Sequence, residues 1–160
     1  MIQISQFLAK VVEPLSQQLF DLRSSITREA CRTIALIAEV LQNDFDSHAG
    51  NLFVTDISLF KLMESGNHLM AEHAHNCVVS ILYNTCSQKV FKNIIRQAND
   101  RHQYTRMNCA EYLLLILIVF PIPVLDKYVT DIYEYLKVAI PDQNPEVRKR
   151  ARAVFIKYHQ

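Results

Sequence analysis

Histidine and cysteine side chains stand close together at His73, His75 and Cys77, a combination that can bind zinc. If this segment is helical, His73 and Cys77 lie on one face and His75 is turned about 200° away. A structural zinc site needs four protein ligands, and a catalytic site needs three. Because too few side chains converge, we predict no metal site and no cofactor.

The cysteines could also serve as nucleophiles if a histidine activated them. The four cysteines are Cys31, Cys77, Cys86 and Cys109. All of them lie in apolar helical patterns, where burial disfavours the reactive thiolate. With 2 glycines in 160 residues, the chain also has no glycine-rich turn to stabilise an oxyanion. We therefore predict free thiols in a reducing compartment and no enzymatic activity.

Aromatic side chains near the C-terminus could stack on nucleic-acid bases. They are Tyr128, Tyr133, Tyr135, Phe155 and Tyr158. A formal net charge of +1 provides no general attraction for phosphates, so we assign these rings to the core and edge of the last helices. The longest apolar run, residues 112–120, is too short to cross a bilayer. We predict no signal peptide, no membrane insertion and no nucleic-acid partner.

A polar phrase recurs along the chain and indicates a repeat. Its copies are residues 21–30, 100–109 and 142–151, with a looser copy at 66–73. The residues that open the second helix within each copy are 43, 36 and 42 positions apart, at Ile26, Leu69, Thr105 and Val147. A period near forty with a polar turn inside each unit is typical of HEAT or armadillo helix pairs.

Apolar residues at helical spacing flank each of these turns, so the sequence predicts an all-α solenoid of about four HEAT-like helix pairs. We expect a single domain over residues 1–160, with pairs at roughly 4–41, 51–86, 88–120 and 124–159. The turns inside the pairs, here called the inner turns, are centred on residues 21–24, 64–68, 99–103 and 142–144. Such a stack has no catalytic scaffold, and its loops normally bind other proteins.

Local signals refine the ends of these helices. Pro14 lies inside the first one, about 4–20, which should either kink there or stop and restart. Residues 42–50 read as a polar connector. Ser24 or Ser25 is a candidate N-cap, and Asn144 followed by Pro145 is a second helix start.

The segments DLRSSI at 21–26, REAC at 28–31 and CAEYLLLIL at 109–117 carry a family resemblance. Weaker matches are LFKL at 59–62, MAE at 70–72 and PEVR at 145–148. In this order, over nearly the whole chain, the segments resemble the N-terminal TOG domain of the CLASP family of microtubule regulators. With four pairs, they resemble its later repeats. The chain is therefore either part of a longer domain or a shortened paddle.

TOG domains are flat, non-catalytic paddles of HEAT repeats whose inner-turn edge lies against αβ-tubulin. The resemblance thus implies a cytoplasmic, cytoskeletal protein that binds αβ-tubulin or microtubules and regulates their dynamics or organisation, including in a cilium or spindle. The alternative is a HEAT scaffold for another cytoskeletal, ciliary or kinetochore protein, without direct tubulin binding.

The inner turns supply the candidate contact residues. We predict tubulin contacts from Arg23, Ser24, His68, Arg101, His102, Asn144 and Lys149. A second set is expected to hold the turns together by pairing a semi-buried arginine with an aspartate of a neighbouring turn. This structural set is Asp21, Asp100, Asp142, Arg106 and Arg148.

Overall fold

The computed structural model of the protein describes residues 2–53 and 58–160. Those residues form α-helices and short 3-10 turns, without a β-strand, so the predicted all-α class is confirmed. The helices are α1 (Ile2–Gln18), α2 (Ser24–Leu41), α3 (Asp46–Ala49), α4 (Leu59–Met63), α5 (His68–Asn84), α6 (Gln88–Arg96), α7 (Gln103–Val119), α8 (Ile122–Leu125), α9 (Val129–Ala139) and α10 (Pro145–Tyr158). Contacts divide the chain into two compact units, Met1–Val90 and Phe91–Gln160. The single domain stays a prediction.

The first unit is built on the packing of α2 against α5. Its core includes the fully buried Ile34 and Ala38 of α2 and the fully buried Val78 and Ile81 of α5. Burying an aliphatic side chain of this size contributes about 1.5–3 kcal/mol relative to leaving it in water. The two apolar stripes therefore hold the helices together without a disulfide.

Helix α1 runs without a break through Pro14, although the sequence left a kink or a restart open. Proline removes one intrahelical hydrogen bond, and its ring crowds the preceding turn. Pro14 is exposed, whereas Leu8 and Val12 on the same helix are buried. The defect thus lies on the solvent side and leaves the packed stripe intact.

The segment predicted as a polar connector is helical instead. A 3-10 turn at Gln42–Phe45, helix α3 and a 3-10 turn at Gly50–Phe53 follow one another, with buried residues at 45, 49, 52 and 53. That spacing is an apolar helical stripe among polar residues, and the polar composition concealed it. Residues 54–57 lie outside the described residues. Of the helix predicted over 51–63, the structure therefore shows only a 3-10 end and α4.

Gly50 is required where this segment approaches α6. A Cβ added to Gly50 would collide with the Cβ of Lys89, which cannot swing away as a side-chain tip can. We expect Gly50→Ala to lower the free energy of unfolding by about 1–3 kcal/mol through overpacking. Thermal unfolding monitored by circular dichroism measures this loss.

Gly66→Ala is the matched control, because a Cβ added there meets no heavy atom within 4 Å. Its melting temperature should stay close to that of the parent. Equal melting temperatures for the two variants would contradict the close approach at Gly50.

The second unit surrounds α7. Tyr112, Leu113 and Ile116 of this helix are fully buried, as expected for a helix covered on several sides. Phe91 and Tyr128 stack beside it, with ring centroids 4.0 Å apart and planes 14° from parallel. Helix α10 packs along α7 and places the fourth inner turn beside the third.

Candidate protein-binding inner turns

Three inner turns share one backbone arrangement. In each, an aspartate carboxylate accepts a hydrogen bond from the backbone N–H two residues further on, which stabilises a tight turn. The pairs are Asp21 with Arg23 at 2.8 Å, Asp100 with His102 at 2.7 Å and Asp142 with Asn144 at 2.8 Å. The second residue of each pair is the N-cap of the following helix, so the aspartate fixes where α2, α7 and α10 begin.

The helix starts differ in how they are capped. Arg23, rather than Ser24 or Ser25, is the N-cap of α2, and no side chain caps that helix because a guanidinium group has no acceptor atom. At α10, Asn144 Oδ1 accepts from the N–H groups of Glu146 (2.8 Å) and Val147 (3.3 Å), as the sequence predicted. Asn67 caps α5 in the same way.

The third and fourth turns are joined by a buried ion pair between Arg106 and Asp142. Arg106 Nε and Nη2 donate to Asp142 Oδ2 and Oδ1 at 2.7 and 3.1 Å. The side chains are only 7% and 6% exposed. The guanidinium hydrogen bonds are the main reason that the pKa of Asp142 lies below its usual value. A buried pair of this geometry fixes the register of two helix pairs.

Arg106 also secures its own turn, and Arg148 repeats that contact one pair later. Arg106 Nη1 donates to the carbonyl oxygens of Asp100 (2.8 Å) and Arg101 (3.3 Å). Arg148 Nη1 donates to the equivalent carbonyls of Asp142 (2.8 Å) and Gln143 (2.9 Å). Arg148 also interacts electrostatically with Asp142, and its charge helps to lower the pKa of that carboxyl group. Its side-chain hydrogen bonds go to backbone carbonyls rather than to a carboxylate among the described residues.

The carboxylate of Asp21 also accepts two hydrogen bonds from one guanidinium group. Arg23 Nε and Nη2 donate to Asp21 Oδ1 and Oδ2 at 3.0 and 3.1 Å. Here the guanidinium comes from the same turn, and the two side chains are 71% and 25% exposed. The hydrogen bond with Arg23 lowers the pKa of Asp21. Asp21 thus receives its guanidinium partner from Arg23 of its own turn, whereas Asp142 receives one from Arg106 of the preceding helix pair.

Each unit places its two inner turns at the same end. In the first unit, Cys31 hydrogen-bonds Cys77, and Ser80 Oγ donates to the Ala35 carbonyl at 3.4 Å. These contacts occur in the same order along α2 and α5, so the helices run parallel and their preceding turns are neighbours. In the second unit, Asn144 Nδ2 donates to Gln103 Oε1 at 2.7 Å and ties the starts of α10 and α7.

Most of the predicted contact residues are accessible. Those with exposed side chains are Arg23, Ser24, His68, Arg101, His102 and Lys149. Asn144 is half-buried, and its side chain caps α10 and bonds Gln103, so it has a structural role and its tubulin contact stays a prediction.

Sequence reasoning missed Leu22, which is 100% exposed at the tip of the first turn. The equivalent tip positions, between the aspartate and the N-cap, are Arg101 and Gln143 in the second unit. The sequence signal for this residue was an apolar side chain at the tip of a polar turn, where we expect it to be exposed.

Three of the four thiols lie in helices and belong to the core, whereas Cys86 is half-buried and lies between α5 and α6, although the sequence predicts a helical position for all four. Cys31, Cys77 and Cys109 are buried, and Cys109 Sγ donates to the Ile94 carbonyl at 3.0 Å. A hydrogen bond with Cys31, together with burial, raises the pKa of the Cys77 thiol, and burial alone raises that of Cys109. No group of three potential metal ligands occurs in residues 2–53 and 58–160. None of the helices described is long and apolar enough to span a membrane.

Comparison with known proteins assigns the chain to a family. The model for the CLASP N-terminal domain matches residues 1–160. The chain belongs to the CLASP N-terminal family. The predicted resemblance is thereby confirmed.

Individual relatives agree with this assignment. The CLIP-associated protein of Arabidopsis thaliana is 36% identical over 151 residues, which are 92% of this CLASP-family chain and 10% of that protein. CLIP-associating protein 1-B of Xenopus laevis is 29% identical over 139 residues, 87% of the chain and 9% of that protein. The chain thus spans about a tenth of the length of these relatives.

A solved structure supports the fold. A designed armadillo repeat protein in complex with peptide (KR)4 superposes with a TM-score of 0.55 at 17% identity. The match covers 94% of this chain and 65% of that one. The predicted solenoid class of HEAT-like helix pairs is confirmed.

Proposed function

We propose that this CLASP-family chain is a non-enzymatic domain that binds αβ-tubulin or microtubules through its inner turns and thereby regulates microtubule dynamics or organisation. Its place would be the cytoplasm, at the cytoskeleton. The observation that carries the proposal is that exposed cationic side chains lie on or next to the ordered inner turns of this CLASP-family chain. Arg23 and Arg101 lie in the turns themselves, and Lys149 follows on the first turns of α10.

Local charge supports this function better than the overall charge does. The chain has a formal net charge of only +1, so long-range attraction to an acidic partner must come from a patch. Arg106 is buried in its ion pair and does not contribute to such a patch. In the first unit, the exposed Arg23 can steer an acidic protein, and the neighbouring Leu22 can then supply one apolar contact.

Mixing this 160-residue chain with free αβ-tubulin tests the proposal. We expect co-elution in gel filtration at low salt and a weaker complex at physiological salt, because exposed charges are screened. Co-sedimentation with microtubules distinguishes the lattice from the free dimer as the target. Failure to associate in both assays would refute the tubulin-binding function.

A second function, a scaffold for a different cytoskeletal protein, is favoured by a separate observation. Between α9 and α10 lies an apolar groove of about 260 Å³ lined by Tyr133, Ile140, Phe155 and Tyr158. Apolar surface of this kind fits a protein partner whose binding depends little on salt. A complex that forms without tubulin and resists salt would favour this reading.

A further inference from the structure

Two of the buried thiols, those of Cys31 and Cys77, meet between α2 and α5. Their side chains are hydrogen-bonded to each other, and the two residues are only 3% and 1% exposed. Cys31 lies about two turns into α2, and Cys77 lies about two and a half turns into α5. The inner turns and their helix caps use neither thiol, so the pair is free for chemistry of its own.

The two helices pack closely at this level. Ser80 Oγ donates to the Ala35 carbonyl at 3.4 Å, about one turn beyond the cysteines. A serine hydroxyl is only two bonds from its Cα, so it reaches a backbone oxygen of another helix only where the helices are close. The cysteines are 46 positions apart in sequence, and the Ser80–Ala35 contact spans 45. The thiols therefore lie at the same height along two parallel helices.

This arrangement suits a disulfide bond. Two cysteines can form one when their Cβ atoms are about 3.5–4.5 Å apart, and rotation about each Cα–Cβ bond then brings the sulfurs together. Thiols that already share a hydrogen bond, on helices packed this closely, are within reach of that geometry. The Cys109 thiol has a different neighbour, since its Sγ donates to the Ile94 carbonyl at 3.0 Å.

We propose that Cys31 and Cys77 form a redox switch, in which a peroxide converts the two thiols to a disulfide that clamps α2 to α5. Hydrogen peroxide oxidises one thiol to a sulfenic acid and is itself reduced to water. The second sulfur then attacks the sulfenic sulfur, forms the S–S bond and releases a second water molecule. The two sulfurs together lose two electrons to the peroxide, and both thiol hydrogens leave in water. A dithiol reductant reverses the step by exchange.

The clamp acts on the helices that carry the inner turns of the first unit. Helix α2 follows the first turn and α5 follows the second, so the bond joins them a short distance into each helix. A cross-link between residues this far apart in sequence removes entropy from the opened chain. The oxidised unit therefore opens less often than the reduced one.

Burial sets the conditions under which the switch responds. The hydrogen bond with Cys31 and burial raise the pKa of the Cys77 thiol, so little reactive thiolate forms at neutral pH. Oxidation is therefore slow, and the pair stays reduced unless exposure to peroxide is sustained.

Mass spectrometry of the peroxide-treated chain tests the proposal. The experiment uses the full chain with Cys86→Ala, because Cys86 is only half-buried and would otherwise react first. We expect the chain to lose two hydrogens without gaining oxygen, and a peptide map to show residues 31 and 77 linked. Amide hydrogen exchange in α2 and α5 should slow at least about tenfold, and dithiothreitol should reverse both changes.

Two further variants in the same background separate this pair from general oxidation. Cys31→Ala and Cys109→Ala each remove one buried thiol, but only Cys31→Ala should abolish the bond and the slower exchange. Circular dichroism checks that each variant is folded, and the map of the background chain stands without them. A map without the linkage, a disulfide that still forms in Cys31→Ala, or exchange that the linkage leaves unchanged would each overturn the proposal. Because the assay contains no tubulin, its result is independent of the proposed binding function.

Discussion

Replacing Arg106 with methionine is expected to lower the free energy of unfolding by about 3–5 kcal/mol, the usual cost of removing one partner of a buried ion pair. The substitution leaves the Asp142 carboxylate without its guanidinium at a site where that side chain is 6% exposed. It also releases the carbonyls of Asp100 and Arg101. The melting temperature should fall by about 10 °C, since 1 kcal/mol shifts a chain of this size by about 2–4 °C.

Arg148→Met is the matched control, because Arg148 makes the same carbonyl contacts but donates no hydrogen bond to a carboxylate among the described residues. It should cost less, about 1.5–3 kcal/mol, the net value of hydrogen bonds that involve a charged group. The double variant Arg106→Met, Asp142→Asn should recover part of the loss, because it removes the unpaired charge and keeps an acceptor oxygen for the Asn144 N–H. Equal losses for Arg106→Met and Arg148→Met would show that the ion pair is not the main contribution.

Acid unfolding tests how much the ionised Asp142 carboxylate contributes to the stability of the same ion pair. Its folded pKa is lowered, chiefly by the Arg106 hydrogen bonds, so its contribution is complete above the unfolded pKa of about 3.9. Protonation removes that contribution as the pH falls from there towards the folded value. In Arg106→Met, stability should therefore depend less on pH below about 4 than in the parent.

Reversing the charge of Arg23, Arg101 and Lys149 together should abolish tubulin binding, with an increase in the dissociation constant of at least about a hundredfold. All three side chains are exposed, so the melting temperature should stay nearly unchanged. Titration of the triple glutamate variant against labelled αβ-tubulin measures the effect.

A second triple variant controls for total charge. Arg32, Lys92 and Lys127 are also exposed but lie outside the inner turns. Changing all three to glutamate alters the net charge equally, and it should weaken binding only modestly. If both triple variants bind as the parent does, the contact surface is elsewhere on the molecule.

The sequence predicted the helices of this fold well because their signals are local. Apolar spacing and capping residues act within a few positions, and Asn144 with Pro145 marks the start of α10 as expected. The helical segment at 42–53 escaped prediction because polar residues surround its buried Phe45 and Leu52. Composition averaged over that window concealed a stripe that only packing reveals.

The candidate site was predictable in type but not in detail. Aspartates at the start of three turns indicated that they would organise the turns. Whether an arginine then meets a carboxylate or a carbonyl depends on which turn lies next to it, and sequence spacing does not give that distance. Arg106 and Arg148 occupy the same repeat position but have different partners for this reason.

The aspartate contacts within the inner turns have a consequence for the speed of recognition. A loop that must first order itself loses conformational entropy on binding and slows its partner's capture. Here the backbone of three turns is already fixed by Asp21, Asp100 and Asp142. We therefore expect partners to dock on these turns nearly as rigid bodies, at rates limited by encounter and its salt dependence rather than by rearrangement of the loops.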